Sequence, residues 1–361
     1  MVSRKDLNSS QILIETFVKK ALHDAEDGTR RTVRNLVDLA MQFSNGRFQK
    51  NFFALLQTML QNEHSAYYDL ITDILLHVEK EQLLKLGMNI GYNSCTAGAS
   101  RIREIEAAEQ FNIPWCMSME VEEPYITNNF SAYQRLIAQG QSMGIHTWFI
   151  YTKQAYQQIF LLAAQYPDSA FVLLCEPETI TEAVLEELCE HQNLMVAIHY
   201  TDSDERDSAA EVCRQLRKQR LLYSLYYFYE EQDIEKIRNG DLFDAMQQLR
   251  PAFVGTLSAE TVDAAARLQG YDAILEIRSA QKYAVIVLDL QYDLLHIDRI
   301  ISDDCCTAGI DKHGRLCSYH ERIAQNKETI FDTELKDLLK QQFPKSKNIC
   351  FHECECEETD V

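Results

Sequence analysis

The cysteines of this sequence are concentrated near its C-terminal end. Six of the eleven follow residue 304. They are Cys305, Cys306, Cys317, Cys350, Cys354 and Cys356. Thiolates are the soft ligands that iron–sulfur clusters and zinc take, and one site can draw them from distant loops. The residues therefore predict a metal site in this part of the chain, holding an iron–sulfur cluster or zinc.

The spacing of these cysteines leaves a second interpretation open. A zinc ribbon normally shows two C-x2-C pairs, whereas this chain has C-x10-C followed by C-x3-C-x-C. In the alternative interpretation, Cys305, Cys306 and Cys317 are small packing residues of a hairpin, and the acidic segment 352–361 is disordered.

A second set of reactive side chains follows the apolar runs in the middle of the chain. Its members are Glu120, Glu176, His199 and Asp289. Carboxylates around a histidine can hold a divalent cation, or they can supply acid and base groups whose pKa values are separated by mutual repulsion. The alternative is a solvated rim of acidic residues that stabilise helix N-termini. We expect a catalytic site of divalent-metal or acid–base type at these four residues.

The elements that would position these residues are short runs of β-branched and aromatic side chains, which predict β-strands. We predict strands at Met88–Tyr92, Ile113–Glu120, Ile145–Tyr151, Ala170–Cys175, Leu194–Tyr200, Leu222–Phe228, Ala252–Thr256 and Ala284–Asp289. Several runs are apolar throughout, as expected of parallel strands that are covered on both faces.

Segments of helical period separate these runs. We predict helices at Ser100–Gln110, Phe130–Met143, Gln154–Gln165, Thr181–His191, Ser208–Arg220, Asp241–Leu249 and Ala259–Leu268. A βα unit repeated eight times predicts an α/β fold of the closed (β/α)8 TIM-barrel type with right-handed crossovers. Because such barrels carry their chemistry where strands end and helices begin, the acidic set lies where an active site is expected.

The chain divides into three regions by pattern. Residues 1–87 are predicted to be all-helical, residues 88–300 form the barrel, and residues 301–361 form a cysteine-rich extension with an acidic tail. The helical region either packs on the barrel and covers one of its ends, or serves as a peptide-binding adaptor. Within the extension, His313-Gly314 predicts a hairpin turn that returns Cys317 towards Cys306, and a further helix is predicted over Asp332–Phe343.

Composition restricts the location and the partners of the protein. The net charge of −20 and the pI near 4.9 repel phosphate backbones, and no basic patch is evident, so nucleic acid is not expected as a partner. No segment is long and apolar enough to span a bilayer or to act as a secretory signal, which predicts a cytoplasmic protein without a membrane partner. The oligomeric state stays open.

With this strand order and the hairpin, residues 88–320 resemble the radical SAM superfamily with a C-terminal extension of SPASM or twitch type. Cys306, Gly309, Gly314 and Cys317 fall where such extensions place a cysteine, a turn glycine and a second cysteine that ligate an auxiliary 4Fe-4S cluster. The resemblance implies S-adenosylmethionine and iron–sulfur clusters as cofactors.

Two further segments resemble the parts of this family that bind S-adenosylmethionine. Glu122-Glu123-Pro124 is similar to the Gly-Gly-Glu-Pro that holds the methionine end of the cofactor, and residues 144–152 are similar to the strand that ends in Thr-Asn-Gly. The cofactor-binding residues implied by the resemblance are Cys95, Glu122, Glu123 and Thr152.

The chain departs from the family at the catalytic cluster. The family signature is C-x3-C-x2-C after the first strand, and here Cys95 stands alone, followed by small residues at 96–100. One thiolate cannot hold that cluster. The resemblance therefore implies a degenerate relative that binds or processes a peptide or small molecule. The alternatives are a divalent-metal-dependent barrel isomerase or lyase and a pure interaction protein, so whether the chain is an enzyme stays open.

Overall fold

The computed structural model describes residues 12, 14–16, 18–20, 22, 23, 30–44, 47–201, 206–302, 306–318 and 328–345. Within them lies a single sheet of nine strands. The strands are β1 Cys116–Glu120, β2 Thr147–Tyr151, β3 Ala170–Cys175, β4 Leu194–His199, β5 Tyr223–Tyr229, β6 Phe253–Ser258, β7 Ile286–Asp289, β8 Ala308–Ile310 and β9 Leu316–Cys317.

Helices precede β1, fill the intervals from β1 to β8 and follow β9. They are α1 Arg30–Phe43, α2 Arg47–Met59, α3 Tyr67–His77, α4 Lys80–Gly87, α5 Ala99–Glu109, α6 Glu123–Asn128, α7 Phe130–Met143, α8 Tyr156–Gln165, α9 Glu182–Glu190, α10 Arg206–Lys218, α11 Ile234–Asn239, α12 Asp241–Met246, α13 Ala264–Ala280, α14 Tyr292–Ser302 and α15 Leu335–Gln342. A π-helix, Met88–Gly98, joins α4 to α5, and 3-10 turns lie at Pro177–Thr179, Glu231–Asp233 and Gln247–Leu249.

The sheet is an open, curled half-barrel, so the prediction of a closed eight-stranded barrel is wrong. Its order is β7-β6-β5-β4-β3-β2-β1-β8-β9, and every neighbouring pair is parallel except β8 and β9. Two causes keep it open. The apolar run predicted as the first strand, Met88–Tyr92, is π-helical, and β8 pairs with the outer edge of β1, where β7 would have to bind to close a barrel.

The other seven predicted strands and the C-terminal hairpin are present. The strand Ala170–Cys175 and the helix Phe130–Met143 have the predicted bounds. In the hairpin, Gly309 pairs with Cys317 and Ile310 pairs with Leu316, which confirms the predicted turn. Gly314 adopts a φ of +77°, a left-handed conformation that glycine takes without steric strain.

The two faces of the sheet pack differently. Odd-numbered residues of β3, such as Phe171 and Leu173, belong to the main core beneath the surrounding helices. The opposite, concave face carries a smaller apolar cluster, built around Val172, Leu174 and Ala197. Successive side chains of β3 therefore alternate between the main core and the smaller cluster on the concave face.

The helices before β1 pack against the N-terminal end of the half-barrel. Leu86 of α4 belongs to the concave cluster. The buried Gln82 side chain donates to the carbonyl of Leu194 at 2.9 Å and accepts from the amide of Leu222 at 2.6 Å, which ties α4 to the starts of β4 and β5. Functional side chains are thus expected at the opposite end, where the strands finish.

Candidate functional site

Two of the predicted catalytic residues meet at the carboxyl end of adjacent strands. Glu176 follows β3 and His199 ends β4, and both side chains turn to the concave face. His199 Nδ1 donates to Glu176 Oε2 at 2.8 Å, and both side chains are largely buried. The pairing of β3 with β4, Cys175 beside Ile198, brings these residues together.

Aromatic side chains surround the pair. Tyr226 of β5 stacks on the His199 ring with centroids 4.8 Å apart and an interplanar angle of 13°. Phe228 meets the same ring edge-on at 5.7 Å and is 46% exposed. The hydroxyls of Tyr151 and Tyr226 donate to the second oxygen of Glu176 at 3.4 and 3.5 Å. We call Tyr151, Glu176, His199, Tyr226 and Phe228 the mouth cluster.

The electrostatics of the mouth cluster favour the carboxylate form of Glu176. The hydrogen bond from His199 is the largest cause that lowers the pKa of Glu176; burial opposes it, and the charges of His199 and Lys153 add to the lowering. Burial raises the pKa of Tyr226, so its hydroxyl stays protonated and available as a donor.

This arrangement has a defined chemical capacity. A carboxylate that accepts from Nδ1–H fixes the tautomer and the orientation of an imidazole and leaves Nε2 to accept a proton, bind a ligand hydrogen or coordinate a metal. The exposed ring of Phe228 offers an apolar contact beside the His199 ring. The mouth cluster can therefore bind a ligand and exchange a proton with it.

The other two predicted catalytic residues lie apart from this pair. Glu120 pairs with Tyr151 across β1 and β2 and so lies on the concave face, two strands from Glu176. Asp289 pairs with Thr256, which pairs in turn with Tyr227 of the main core, so Asp289 lies on the convex face. The four residues do not form one cluster.

Asp289 is fully buried and acts as a turn residue. Its Oδ1 accepts from the amides of Gln291 and Tyr292 at 2.9 and 2.8 Å, at the start of α14. Its Oδ2 has no hydrogen-bond partner among the described residues. Burial raises the pKa of Asp289 to about 6, although the two amides lower it.

The residues compared with the parts of radical SAM proteins that bind the cofactor are engaged in local structure. Cys95 lies inside the π-helix, where burial raises the pKa of its thiol to about 12. Glu122 pairs with Lys312 at 3.4 Å, and Glu123 accepts from Thr127 at 3.1 Å. The buried Thr152 hydroxyl accepts from the amide of Ala155 at 3.1 Å, just before α8.

The strand assignment also moves these segments relative to the family pattern. Because β1 is the first strand of the sheet, the segment that follows the first strand is 121–129, and Cys95 precedes it. Glu122-Glu123-Pro124 therefore follows the first strand of the structure, whereas the sequence pattern predicted that it follows the second.

The two described cysteines of the C-terminal set lie on opposite faces of the sheet. Cys306 is buried in the main core with Ala308. Cys317 pairs with Gly309, on the other face, close to Ser118. Burial raises the pKa of the Cys317 thiol to about 11. The rest of the predicted metal set, Cys305, Cys350, Cys354 and Cys356, lies outside the described residues, as does the acidic segment 352–361.

Within the described part of the chain, no group of three or more His, Cys, Asp or Glu side chains is arranged to hold a metal ion. The described helices also include none long and apolar enough to cross a membrane.

The contribution of Tyr226 and Phe228 to the mouth cluster was not predicted. From sequence, the aromatic run 222–229 favours packing inside the barrel over ligand recognition. The strand alternates, so Tyr227 and Tyr229 enter the main core while Tyr226 and Phe228 face the mouth. The signal that separates the two sets is the register of β5 against β4, where Tyr226 pairs with His199. No local window of sequence contains that register.

Comparisons with known proteins give a likeness of fold only. No protein-family model and no curated protein matches the sequence. Three crystal structures of SuiB from Streptococcus suis, a radical SAM enzyme, are similar. With S-adenosylmethionine bound, the TM-score is 0.51 at 10% identity over 69% of both chains. For SuiB alone it is 0.50 at 9% identity over 69% of this chain and 71% of SuiB.

The third structure, SuiB bound to the precursor peptide SuiA, has a TM-score of 0.49 at 10% identity over 69% of this chain and 70% of that one. The likeness to the first two structures agrees with the strand order and the half-barrel curl described above. The chain has a radical SAM-like fold.

Proposed function

We propose that this protein is a radical-SAM-like half-barrel that lacks the catalytic cluster and binds a peptide or small molecule at its mouth cluster. The observation that carries the proposal is the segment after the first strand, residues 121–129, which reads Val-Glu-Glu-Pro-Tyr-Ile-Thr-Asn-Asn and contains no cysteine. In the radical SAM superfamily, three thiolates in the loop after the first strand hold the cluster whose open iron chelates S-adenosylmethionine.

The nearby thiols are poor substitutes. Cys95, Cys116 and Cys175 are all packed in the main core, and none belongs to a group of three or more possible metal ligands among the described residues. Burial raises the pKa of Cys95 and of Cys175 to about 12, and it raises the pKa of Cys116 well above its usual value. Neutral, buried thiols in separate elements support a packing role for these three residues.

The same reasoning argues against S-adenosylmethionine as a cofactor. SuiB has been crystallised with it, but in this chain the side chains of Glu122 and Thr152 have local partners. We therefore assign no step to S-adenosylmethionine.

The mouth cluster supports ligand binding on positive grounds. Ligand sites combine apolar and aromatic walls with a few oriented polar groups, and in parallel sheets they lie at the carboxyl ends of strands. Phe228 provides an exposed aromatic surface, and the hydrogen bond to Glu176 orients the His199 ring and leaves its Nε2 to accept from a ligand. An adjacent exposed side chain, Lys153, adds a positive charge. A role in proton transfer on the bound ligand is part of this proposal.

Metal-based functions have less support. The divalent-metal alternative needs more oxygen ligands than Glu176 and His199 supply together. An auxiliary iron–sulfur cluster would need Cys317 with cysteines beyond the described residues, since Cys306 faces the other way. It stays a separate hypothesis, which the first experiment below decides.

The first experiment is purification of the protein without oxygen, followed by assays of iron, acid-labile sulfide and zinc and by equilibrium dialysis against labelled S-adenosylmethionine. We expect no retention of S-adenosylmethionine. Iron and sulfide without such retention would support the auxiliary cluster alone, whereas iron together with stoichiometric retention would overturn the proposal.

The second experiment tests the mouth cluster. Ligands that raise the melting temperature would be selected from a set of metabolites and short peptides, and their affinities would be compared for Phe228→Ala and Glu176→Gln. We expect a loss of roughly tenfold or more in each. The matched control is Leu268→Ala on α13, since Leu268 is 43% exposed and lies away from the mouth. Equal affinity in all variants would refute the site.

A further inference from the structure

A cavity lies at the N-terminal end of the half-barrel, opposite the mouth cluster. Its volume is about 550 Å³, and small-molecule sites typically measure roughly 300 to 1,000 Å³. Its walls come from α4 and the π-helix, from the end of α8 and the loop before β3, from the turn between α9 and β4, and from residues 15 and 19. The cavity therefore has the size of a ligand site and lies where the N-terminal helices meet the sheet.

Two buried amide side chains hold the floor of this cavity in place. Asn89 is fully buried and donates to the carbonyls of Pro167 and Ser169 at 2.9 and 2.8 Å. Asn193 is also buried and donates to the carbonyls of Ala163 and Ser169, both at 3.0 Å. These hydrogen bonds fix the loop before β3 against the π-helix and the start of β4, so the site is preorganised.

One wall of the cavity is apolar. Leu84 of α4 and Met88 of the π-helix line it, and both are buried. Ile14 and Val18 pack against the same two residues, which closes this side of the cavity. A chain of methylene groups is the kind of ligand part that gains free energy by covering such a wall.

The lysines that line the cavity already have partners. Lys85 pairs with Asp168 at 3.3 Å, and Lys19 pairs with Glu15 at 3.0 Å. Neither lysine is therefore available to balance another carboxylate of the lining.

Two carboxylates of the lining are left without an ion pair. Glu81 and Glu190 have none among the described residues. His191 does not offset them, because burial lowers the pKa of its imidazole, although the charges of Glu187 and Glu190 raise it. Gln192 adds an acceptor, since its Oε1 has no hydrogen-bond partner in the described part of the chain. This lining favours a ligand that brings positive charge and N–H donors.

We propose that the cavity binds a linear aliphatic polyamine, with ammonium groups at Glu81 and Glu190 and its methylene chain along Leu84 and Met88. The net charge of −20 attracts cations at long range, and the two carboxylates together with the apolar wall select among them. Because the cavity lies at the other end of the strands from the mouth cluster, the proposal does not depend on the ligand of that cluster.

The lining distinguishes a polyamine from other cations. A hard metal ion needs several oxygen ligands, and no group of three or more possible ligand side chains is arranged for one within the described ranges. A basic amino acid would bring a carboxylate of its own, which would meet lysines that are already paired. A polyamine brings charge and methylene groups without a carboxylate.

The test is isothermal titration calorimetry of the full-length protein with spermidine. We expect a single site, and we expect Glu81→Gln and Glu190→Gln each to weaken the affinity roughly tenfold, since each removes one charge-assisted contact. Butylamine, which has one ammonium group, should bind more weakly than spermidine by a similar factor or more. Both substituted residues are exposed, so the variants keep the fold.

The matched control is Glu276→Gln, the same change at an exposed position of α13, and it should leave the affinity for spermidine unchanged. Absence of binding would overturn the proposal. Equal affinity in all three variants would do so as well, because spermidine would then be a counterion of the acidic surface. Free lysine that binds as tightly as spermidine would reassign the cavity to a basic amino acid and would also overturn the polyamine proposal.

Discussion

The burial of Asp289 gives the protein a dependence of stability on pH. Its pKa is raised from 3.8 to about 6 in the folded state. A group with a raised folded pKa contributes stability below its unfolded pKa and loses it as the pH rises through the folded value. We therefore expect the free energy of unfolding to fall by roughly 2 kcal/mol between pH 4 and pH 7 on account of this residue.

The variant Asp289→Asn should lack this component. The side-chain oxygen of the asparagine can still accept from the backbone amides of Gln291 and Tyr292. The substitution also removes the negative charge from the position of Oδ2, which has no hydrogen-bond partner among the described residues. Urea unfolding of both proteins across this pH range measures the difference. Parallel curves for the two proteins would show that Asp289 does not titrate as its burial implies.

For single residues, the sequence identifies reactive side chains at strand ends but not which of them lie next to each other in the fold. Glu176 and His199 were predicted at strand ends, and the structure brings them to 2.8 Å. Asp289 had the same local signal, yet it faces the main core. The face that the last residue of a strand presents depends on the register of its neighbours, which a single sequence does not contain.

Among the elements, α14 anchors both the first strand and the C-terminal hairpin. The fully buried Asp298 accepts from the amide of Trp115 at 2.9 Å and from the amide of Cys306 at 2.7 Å. One carboxylate thus sets the starts of two adjacent parallel strands, β1 and β8.

We expect Asp298→Ala to lower the free energy of unfolding by roughly 3 to 5 kcal/mol, because two buried amides lose their acceptor. Urea denaturation followed by circular dichroism measures the loss. The control Asp272→Ala removes an exposed carboxylate on α13 and should change stability by no more than about 0.5 kcal/mol. A similar small change at Asp298 would mean that water replaces the carboxylate.

The wrong strand assignment at Met88–Tyr92 has an identifiable cause. The run is short and apolar, and periodicity does not separate a buried helix from a strand at that length. In the structure, Asn89 donates to the carbonyls of Pro167 and Ser169, and Asn93 donates to that of Asp168. These partners are some eighty residues away, so tertiary contacts stabilise the helical form. Six of the seven predicted runs that are strands lie between two neighbouring strands, and the seventh, β7, pairs with β6 alone; in these runs the local pattern and the tertiary structure agree.

At the scale of the whole molecule, contacts join the N-terminal helices to the half-barrel. Leu86 packs in the concave cluster, and Asp73 accepts two hydrogen bonds of 2.7 Å from Arg217. Both tryptophans, Trp115 and Trp148, lie in or beside the sheet. Their fluorescence therefore reports the unfolding of the half-barrel and not of the helices.

We expect Leu86→Asp to lower the stability reported by tryptophan fluorescence by about 3 kcal/mol or more, since it puts a charge into the concave cluster. Leu76→Asp on α3 is the matched control, because Leu76 is exposed. An unchanged fluorescence transition in Leu86→Asp would indicate that residues 1–87 fold independently of the half-barrel.

The position of β8 has a consequence for how this chain is made. The outer edge of β1 finds its partner only in residues 308–310, almost two hundred residues later. At 5 to 20 residues per second, the ribosome takes about 10 to 40 s to cover that interval. During it, Cys116–Glu120 is an unpaired edge strand, of the kind that joins strands of other chains. The nascent protein therefore passes through a vulnerable period, and slower translation or a missing C-terminal hairpin should favour its aggregation.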